Sequence, residues 1–293
     1  MQEFDYVRVQ SVQEAVALLA GEENRARILC GGTDLLVQLR EGQRQARLLV
    51  DIKTIPELNQ LHYDPVNGLT LGAAVSCLRL CQDETARQLY PGLVEAASLI
   101  GSVQIQGRAS VGGNVCNASP AADSIPALIV HRAVCRLVGP GGERQAAIEQ
   151  FCCAPGKTIL QRGEILVSLH LPPPPPGFGA GYLRFTPRNE MDIAVVGAGA
   201  AVILAEDQQT IRWARLALGA VAPTPLWVEA AGDFLAGRAA DAENVQQAAR
   251  LARQAARPIR DVRGEAAQRS QLVEVLARRA LETAIQRARA AVH

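Results

Sequence analysis

The run from Gly101 to Pro126, GSVQIQGRASVGGNVCNASPAADSIP, gathers paired glycines, two asparagines, small hydroxyl residues and one acid, with almost no bulky side chains. Such a stretch buries little apolar surface, so packing alone hardly accounts for it. Glycine lets backbone N–H groups approach a ligand closely, while Asn, Ser and Asp supply short, directional hydrogen bonds. A ligand with phosphates and a polyol chain uses all of these. A second glycine turn, CGGTD at Cys30 to Asp34, follows one apolar run and precedes another. Two such loops point to a dinucleotide held from two sides.

Other motifs fail on closer reading. Val195 to Val202, VVGAGAAV, imitates a Rossmann fingerprint, but Val202 stands where the third glycine belongs and no acid closes a following strand. A close-packed strand of small residues is the better reading. Pro155-Gly156-Lys157-Thr158 imitates the end of a P-loop, but Phe151 occupies the place of its first glycine, so the phosphate cradle is missing. His62, His131, His170 and His293 are scattered and belong to no visible triad, and no serine sits in a nucleophile elbow. Redox chemistry here would be carried by a cofactor.

The elements that must position the two loops can be read from periodicity. Ser11-Val12-Gln13-Glu14 reads as a capping box opening a helix that Gly21 ends. Arg27 to Cys30 and Leu48 to Ile52 read as strands around a short helix, Leu35 to Arg40. The CGGTD turn then lies at the carboxyl end of a strand, where α/β sheets bind ligands. Leu69 to Val75, Ala133 to Val138 and Glu164 to Leu171 read as further strands. Ser76 to Ile100 is helical in composition, interrupted at Pro91-Gly92, and Asp123 or Ser124 can cap a short helix with Pro126 in its first turn. Pro172 to Pro176 forces extended geometry, marks a stiff spacer and sets a domain boundary between residues 1–176 and 177–293. Beyond it, Tyr182 to Thr186, Ile193 to Leu204 and Thr210 to Val221 predict a small antiparallel sheet. Leu226 to Leu235, Ala242 to Ala256 and Glu265 to Ala291 predict helices.

Bulk properties fit a globular protein with 48% hydrophobic and 20% charged residues. A net charge of +1 advertises no basic surface, which argues against nucleic acid as a partner. No run approaches the roughly 18 to 20 apolar residues needed to span a bilayer, and MQEFDYVRV does not read as a secretory signal. Cytoplasm is the expected compartment. Seven cysteines with no C-x-x-C pair argue against both a disulfide framework and a metal or iron–sulfur site on this chain.

At these motifs the chain resembles the FAD-binding subunits of the molybdenum hydroxylases, the family of xanthine dehydrogenase and of the medium subunit of aerobic carbon monoxide dehydrogenase. CGGTDLLVQL resembles the family's A-G-G-T-D-L-L turn, with Cys30 in place of the usual alanine, and IGSVQIQGRASVGGNVCNASPAADSIPAL resembles its second FAD segment. PGKTILQRGEILVSLHLP, RFTPRNEMDIAVVGAGAAV, GAVAPTP and ARPIRDVRGEAAQRSQLVEVLARRALETA resemble later blocks, in the same order.

The resemblance implies an α+β fold: a two-lobed FAD-binding domain of the vanillyl-alcohol-oxidase (PCMH) type, followed by a small α/β C-terminal domain. By position, the backbone of Arg27, Ile28, Leu29, Cys30, Gly31, Gly32, Thr33 and Asp34 would hold the pyrophosphate, with that of Ala109, Ser110, Val111, Gly112 and Gly113. Ser110, Asn114 and Asp123 fall where the family hydrogen-bonds FAD, Ile100 where an apolar side chain covers the flavin, and Leu166 and Arg184 at two further contacts. The family usually has Lys at the position of Arg184, and its common Q-I-R-N is here Gln104-Ile105-Gln106-Gly107. The implied function is electron transfer within a heterotrimer: molybdopterin cofactor on a large subunit, [2Fe–2S] clusters on a small one, FAD here and an acceptor such as NAD. VDIKTIPEL, GGNVCN, AADSIP and MDIA lean toward a xanthine dehydrogenase-like complex acting on a purine or other N-heterocycle. A carbon monoxide or aldehyde dehydrogenase is the alternative within the family. Outside it stand a free-standing NAD-dependent dehydrogenase built on Gly197-Ala198-Gly199 and a non-catalytic assembly protein.

Overall fold

The computed structural model describes residues 3–21, 25–188 and 191–291; His293, named above, lies outside them. The first lobe is a three-stranded parallel sheet in the order β1-β3-β2, with β1 at Asp5–Arg8, β2 at Ala26–Leu29 and β3 at Leu48–Asp51. Helix α1, Val12–Gly21, joins β1 to β2, and α2, Leu35–Arg40, joins β2 to β3. The capping of α1 is offset by one residue from the expected box. Ser11 Oγ accepts from the Glu14 N–H at 3.2 Å, but the Glu14 carboxylate reaches the N–H of Gln10 at 2.8 Å rather than that of Ser11.

The second lobe is an antiparallel sheet in the order β4-β5-β10-β6-β7: β4 Leu61–Asp64, β5 Gly68–Gly72, β6 Val134–Gly139, β7 Gly142–Ala147 and β10 Ile165–Leu171. A two-stranded ribbon, β8 Cys152–Ala154 and β9 Lys157–Thr158, precedes β10. Six helices lie between β5 and β6: α3 Cys77–Gln82, α4 Glu84–Leu89, α5 Pro91–Ser98, α6 Val103–Gln106, α7 Val111–Asn117 and α8 Ser124–Val130. The expected break at Pro91-Gly92 falls just before Pro91, which opens α5 as its first residue. A further break comes at Asp83, whose carboxylate caps α4 by accepting the Ala86 N–H at 2.8 Å.

Strand β10 welds the lobes together. Ile165 and Val167 are fully buried in the first-lobe core beside Val50 and Ile52. Leu166, Leu169 and Leu171 belong to the core of the second lobe. A register shift between Leu166 and Ser168 switches which residues face each side, as one extra residue in a strand must.

Strands β11 Phe178–Phe185, β12 Val196–Leu204, β13 Ile211–Gly219 and β14 Leu226–Trp227 form an antiparallel sheet in sequence order. Helices α9 Glu229–Leu235, α10 Ala242–Ala255 and α11 Ala266–Ala290 complete this domain. The segment read as one helix from Leu226 thus begins as the edge strand β14. One face of the sheet, with Ala198, Ala200, Val202 and Leu216, packs into the helices. The other face carries Ala180, Ala201 and Ala217, which join the core of the second lobe. The glycines of the Rossmann-like run serve this contact. A Cβ on Gly199 would lie 2.9 Å from the Pro126 carbonyl oxygen of α8, and one on Gly197 would lie 2.5 Å from the Tyr182 hydroxyl. The run is therefore the packed strand expected from its small residues. The P-loop imitation is the turn between β8 and β9, with the Gly156 N–H bonded to the Ala118 carbonyl at 2.9 Å.

The proline run is a packed strap rather than a free spacer. The Tyr90 hydroxyl donates to the Pro172 carbonyl at 3.0 Å, and Gly68, at φ +92°, leaves room for Leu171 and Pro172 against β5. Beside it, His131 is 4% exposed and its ring lies 5.5 Å from those of Tyr90 and of Phe178. The Nε2 atom has no hydrogen-bond partner, and burial pushes the imidazole down from 6.5 to about 3. The unfolded chain takes up a proton on this ring near its ordinary value, whereas the folded chain resists until about pH 3. Stability from this group is complete above pH 6.5 and declines as pH falls toward 3, by about 1.4 kcal/mol per unit. Denaturant titrations between pH 7 and pH 4 are expected to show this slope in the native chain, and a shallower one in His131→Phe.

Candidate cofactor cleft

The two glycine loops meet between the lobes. Loop Cys30 to Asp34 leaves the carboxyl end of β2, and loop Arg108 to Ser110 leads into α7. They touch through backbone, where a Cβ on Gly31 would lie 2.5 Å from the Arg108 carbonyl oxygen; behind the second loop, a Cβ on Gly112 would lie 2.5 Å from the Ala73 carbonyl oxygen just past the end of β5. Gly32 adopts φ +77°, a conformation that side chains resist. Side chains complete the clasp. The Arg108 guanidinium reaches the carbonyls of Gly31 and Cys30, both at 3.4 Å, and Cys30 Sγ lies 3.5 Å from Ser110 Oγ. Ser110 caps α7 by accepting the Gly113 N–H at 3.0 Å.

Beside this clasp opens a cleft of about 440 Å³, within the range of small-molecule sites. Of the residues singled out from sequence, Arg27, Ile28, Cys30, Gly31, Gly32, Thr33 and Asp34 line it from the first lobe. Ala109, Ser110, Gly112, Gly113 and Asn114 line it from the second, with Ile100 and Leu166 as apolar wall. Asn114 is held in place by Ser124, whose hydroxyl donates to its Oδ1 at 2.6 Å. Leu29 and Val111 turn their side chains into the core.

Asp123 and Arg184 do not line the cleft. They form an ion pair at 2.7 Å, buried where α8 meets β11, and the Tyr182 hydroxyl donates to Asp123 at 2.7 Å. Burial pushes the Asp123 carboxyl up, and Arg184 pulls it back. The carboxylate makes no cap bond to α8, contrary to the capping role read from sequence, because both of its oxygens are taken by this network. The pair anchors the C-terminal sheet to α8.

Sequence reading missed a third wall. Gln161, Arg162, Gly163 and Glu164 line the cleft from the turn before β10, and Arg44 lines it from the first lobe. Gly163 at φ +78° ahead of a buried strand was the available signal. Arg144 holds the Glu164 carboxylate through two bonds of 2.7 Å and keeps it well ionised. Burial raises the Asp34 carboxyl and Arg44 opposes that. With the Glu164 charge offset by Arg144, Arg44 and Arg162 outweigh Asp34 among the described residues that line the cleft and leave it cationic. Cationic groups, close-lying glycine backbone and an apolar wall are the donor set a flavin dinucleotide requires.

Residues 2–174 match the family model for the FAD binding domain in molybdopterin dehydrogenase, and residues 181–284 match the CO dehydrogenase flavoprotein C-terminal domain. The chain belongs to the FAD-binding subunits of the molybdenum hydroxylases. This FAD subunit is 35% identical over 222 residues to the xanthine dehydrogenase FAD-binding subunit of Escherichia coli O157:H7, covering 75% of each chain. It is 33% identical over 287 residues to the carbon monoxide dehydrogenase medium chain of Afipia carboxidovorans, covering 98% of each. Among solved structures, carbon monoxide dehydrogenase from Hydrogenophaga pseudoflava superposes with a TM-score of 0.93 at 31% identity, covering 98% of both chains. The α+β fold and FAD as the cofactor of this subunit accord with the sequence-based expectation.

Gly31→Ala would press a methyl group on the Arg108 carbonyl and spread the loops. FAD titration of the full chain, followed by flavin fluorescence, is expected to show affinity at least about tenfold weaker, the cost of roughly 1.4 kcal/mol of misfit.

Proposed function

We propose that this chain is the electron-transfer subunit of a three-subunit molybdenum hydroxylase. Substrate is oxidised at a molybdopterin cofactor on a large partner subunit, and electrons reach this chain through [2Fe–2S] clusters on a small one. The single observation that carries the reading is the cationic cleft closed by two mutually packed glycine loops in a chain of this family. Bound FAD supplies the ability to accept electrons singly and release them in pairs. The backbone of Arg27 to Asp34 and of Ala109 to Gly113 holds the pyrophosphate, with Arg44 and Arg162 as counter-charge. Ile100 and Leu166 shield the flavin, and Asn114 hydrogen-bonds the cofactor. Asp123 and Arg184 act from behind the cleft by fixing the second loop against the C-terminal sheet.

The proline strap at Pro172 to Pro176 divides the FAD-binding domain, 1–176, from the C-terminal domain, 177–293. The acceptor is a soluble carrier such as NAD, and the complex works in the cytoplasm; among the described residues no helix is long and apolar enough to cross a membrane. A purine or similar N-heterocycle is the favoured substrate class, supported by the xanthine dehydrogenase relative. The carbon monoxide dehydrogenase relatives, which match over nearly the whole chain, support the second reading.

The test is an absorption spectrum of the complex purified from its native host, before and after acid release of cofactor. FAD in the acid supernatant, with iron–sulfur absorbance from co-purifying chains, is the expected result. A colourless chain that purifies alone would contradict the proposal. Turnover with xanthine or hypoxanthine against carbon monoxide and aldehydes then decides the substrate class.

A further inference from the structure

Lys53 lies outside the cleft, within the VDIKTIPEL block noted above, and the backbone behind both glycine turns converges on it. Its ammonium donates to the Ala74 carbonyl at 2.7 Å and to the Arg108 carbonyl at 3.1 Å. Arg108 is the residue whose carbonyl presses on Gly31, and Ala74 follows the residue whose carbonyl presses on Gly112. One cation therefore sits behind both close approaches. Lys53 is itself fixed: its N–H donates to Asp51 Oδ1 at 2.9 Å, and its carbonyl accepts from Asn59 Nδ2 at 2.8 Å. Asp51 is buried and also accepts from the Tyr6 hydroxyl at 2.5 Å. The brace thus reaches from the end of β3 across to the second lobe.

We infer that Lys53 is a positioning residue for FAD binding, acting through the backbone of Arg108 and Ala74 to hold the two glycine loops at the separation the pyrophosphate requires. The ammonium carries three donors, and two of them go to the Ala74 and Arg108 carbonyl oxygens. Charge-assisted bonds to carbonyls are the stronger kind, and the ammonium adds positive charge behind loops that face an anionic group. Arg108 contributes the second half of the brace from its own side chain, which ties the same carbonyl-bearing residue to Cys30 and Gly31. The inference rests on the reading that FAD lies against these loops.

The test uses the full chain stripped of FAD, with two readouts: FAD affinity by fluorescence titration, and the unfolding temperature without FAD. Lys53→Met is expected to weaken FAD binding roughly ten- to a hundredfold while the FAD-free unfolding temperature stays near that of the native chain. Lys53→Arg, which keeps the charge, is expected to recover most of the affinity. Unchanged affinity in Lys53→Met overturns the inference. So does a loss of affinity matched by an equal loss of FAD-free stability that Lys53→Arg fails to restore, since that describes a structural residue only. If Lys53→Met does not fold, Arg108→Gln, at an exposed position, carries the test: it must weaken FAD binding, and native affinity there overturns the brace. A native chain that binds no FAD contradicts the reading of the cleft instead.

Discussion

The cleft depends on backbone packed directly on backbone: Gly31 against the Arg108 carbonyl and Gly112 against the Ala73 carbonyl. A methyl group on Gly31 would push the two loops apart, and one on Gly112 would push α7 off the end of β5, so the cleft depends on both positions lacking a Cβ. Each loop is in turn the end of a regular element. The first leaves a parallel edge strand whose register on β3 fixes its height, and the second enters a helix capped by Ser110. The cofactor site is therefore a property of how two independent lobes are pressed together, and β10, buried on both faces, does the pressing.

The same device recurs at the domain contact. The C-terminal sheet presents alanine and glycine to α8, which brings a strand within reach of the segment that follows the second loop. Little side-chain area is buried there, so dispersion from close approach and the buried Asp123–Arg184–Tyr182 network replace bulk hydrophobic packing. A buried ion pair is weak evidence for stability in itself, but losing one partner leaves an uncompensated charge. This makes the network a means of registering the sheet on α8, and through Ser124 and Asn114 on the second loop. An arginine in place of the family's usual lysine suits that task, because its planar head holds a carboxylate in fixed orientation.

Much of this was legible in the sequence because glycine and proline report backbone constraints directly. The CGGTD turn and the strands flanking it fell close to where periodicity placed them, whereas the Gly112-Gly113 pair, read as part of a loop, lies in the first turn of helix α7. What stayed hidden follows from the same physics. Strands β1, β4 and β7 were missed because they are edge strands with exposed or polar residues, and their alternation carries no apolar signal. Arg44, Arg162 and the turn at Gly163 were missed because a cleft wall supplied by a distant segment leaves no local pattern. The bonds that Lys53 makes were hidden for a related reason: they go to two carbonyl groups, and carbonyls are identical in every residue.

The measurement that bears most directly on the account is backbone hydrogen exchange of the full chain with and without FAD. Protection gained at residues 27–34 and 109–114, with the Val195 to Val202 strand unchanged, is the expected result, since the two loops line the cleft while β12 lies outside it, already locked between β11 and β13. Protection gained at Val195 to Val202 with the two loops unaffected would place the dinucleotide elsewhere and contradict the account.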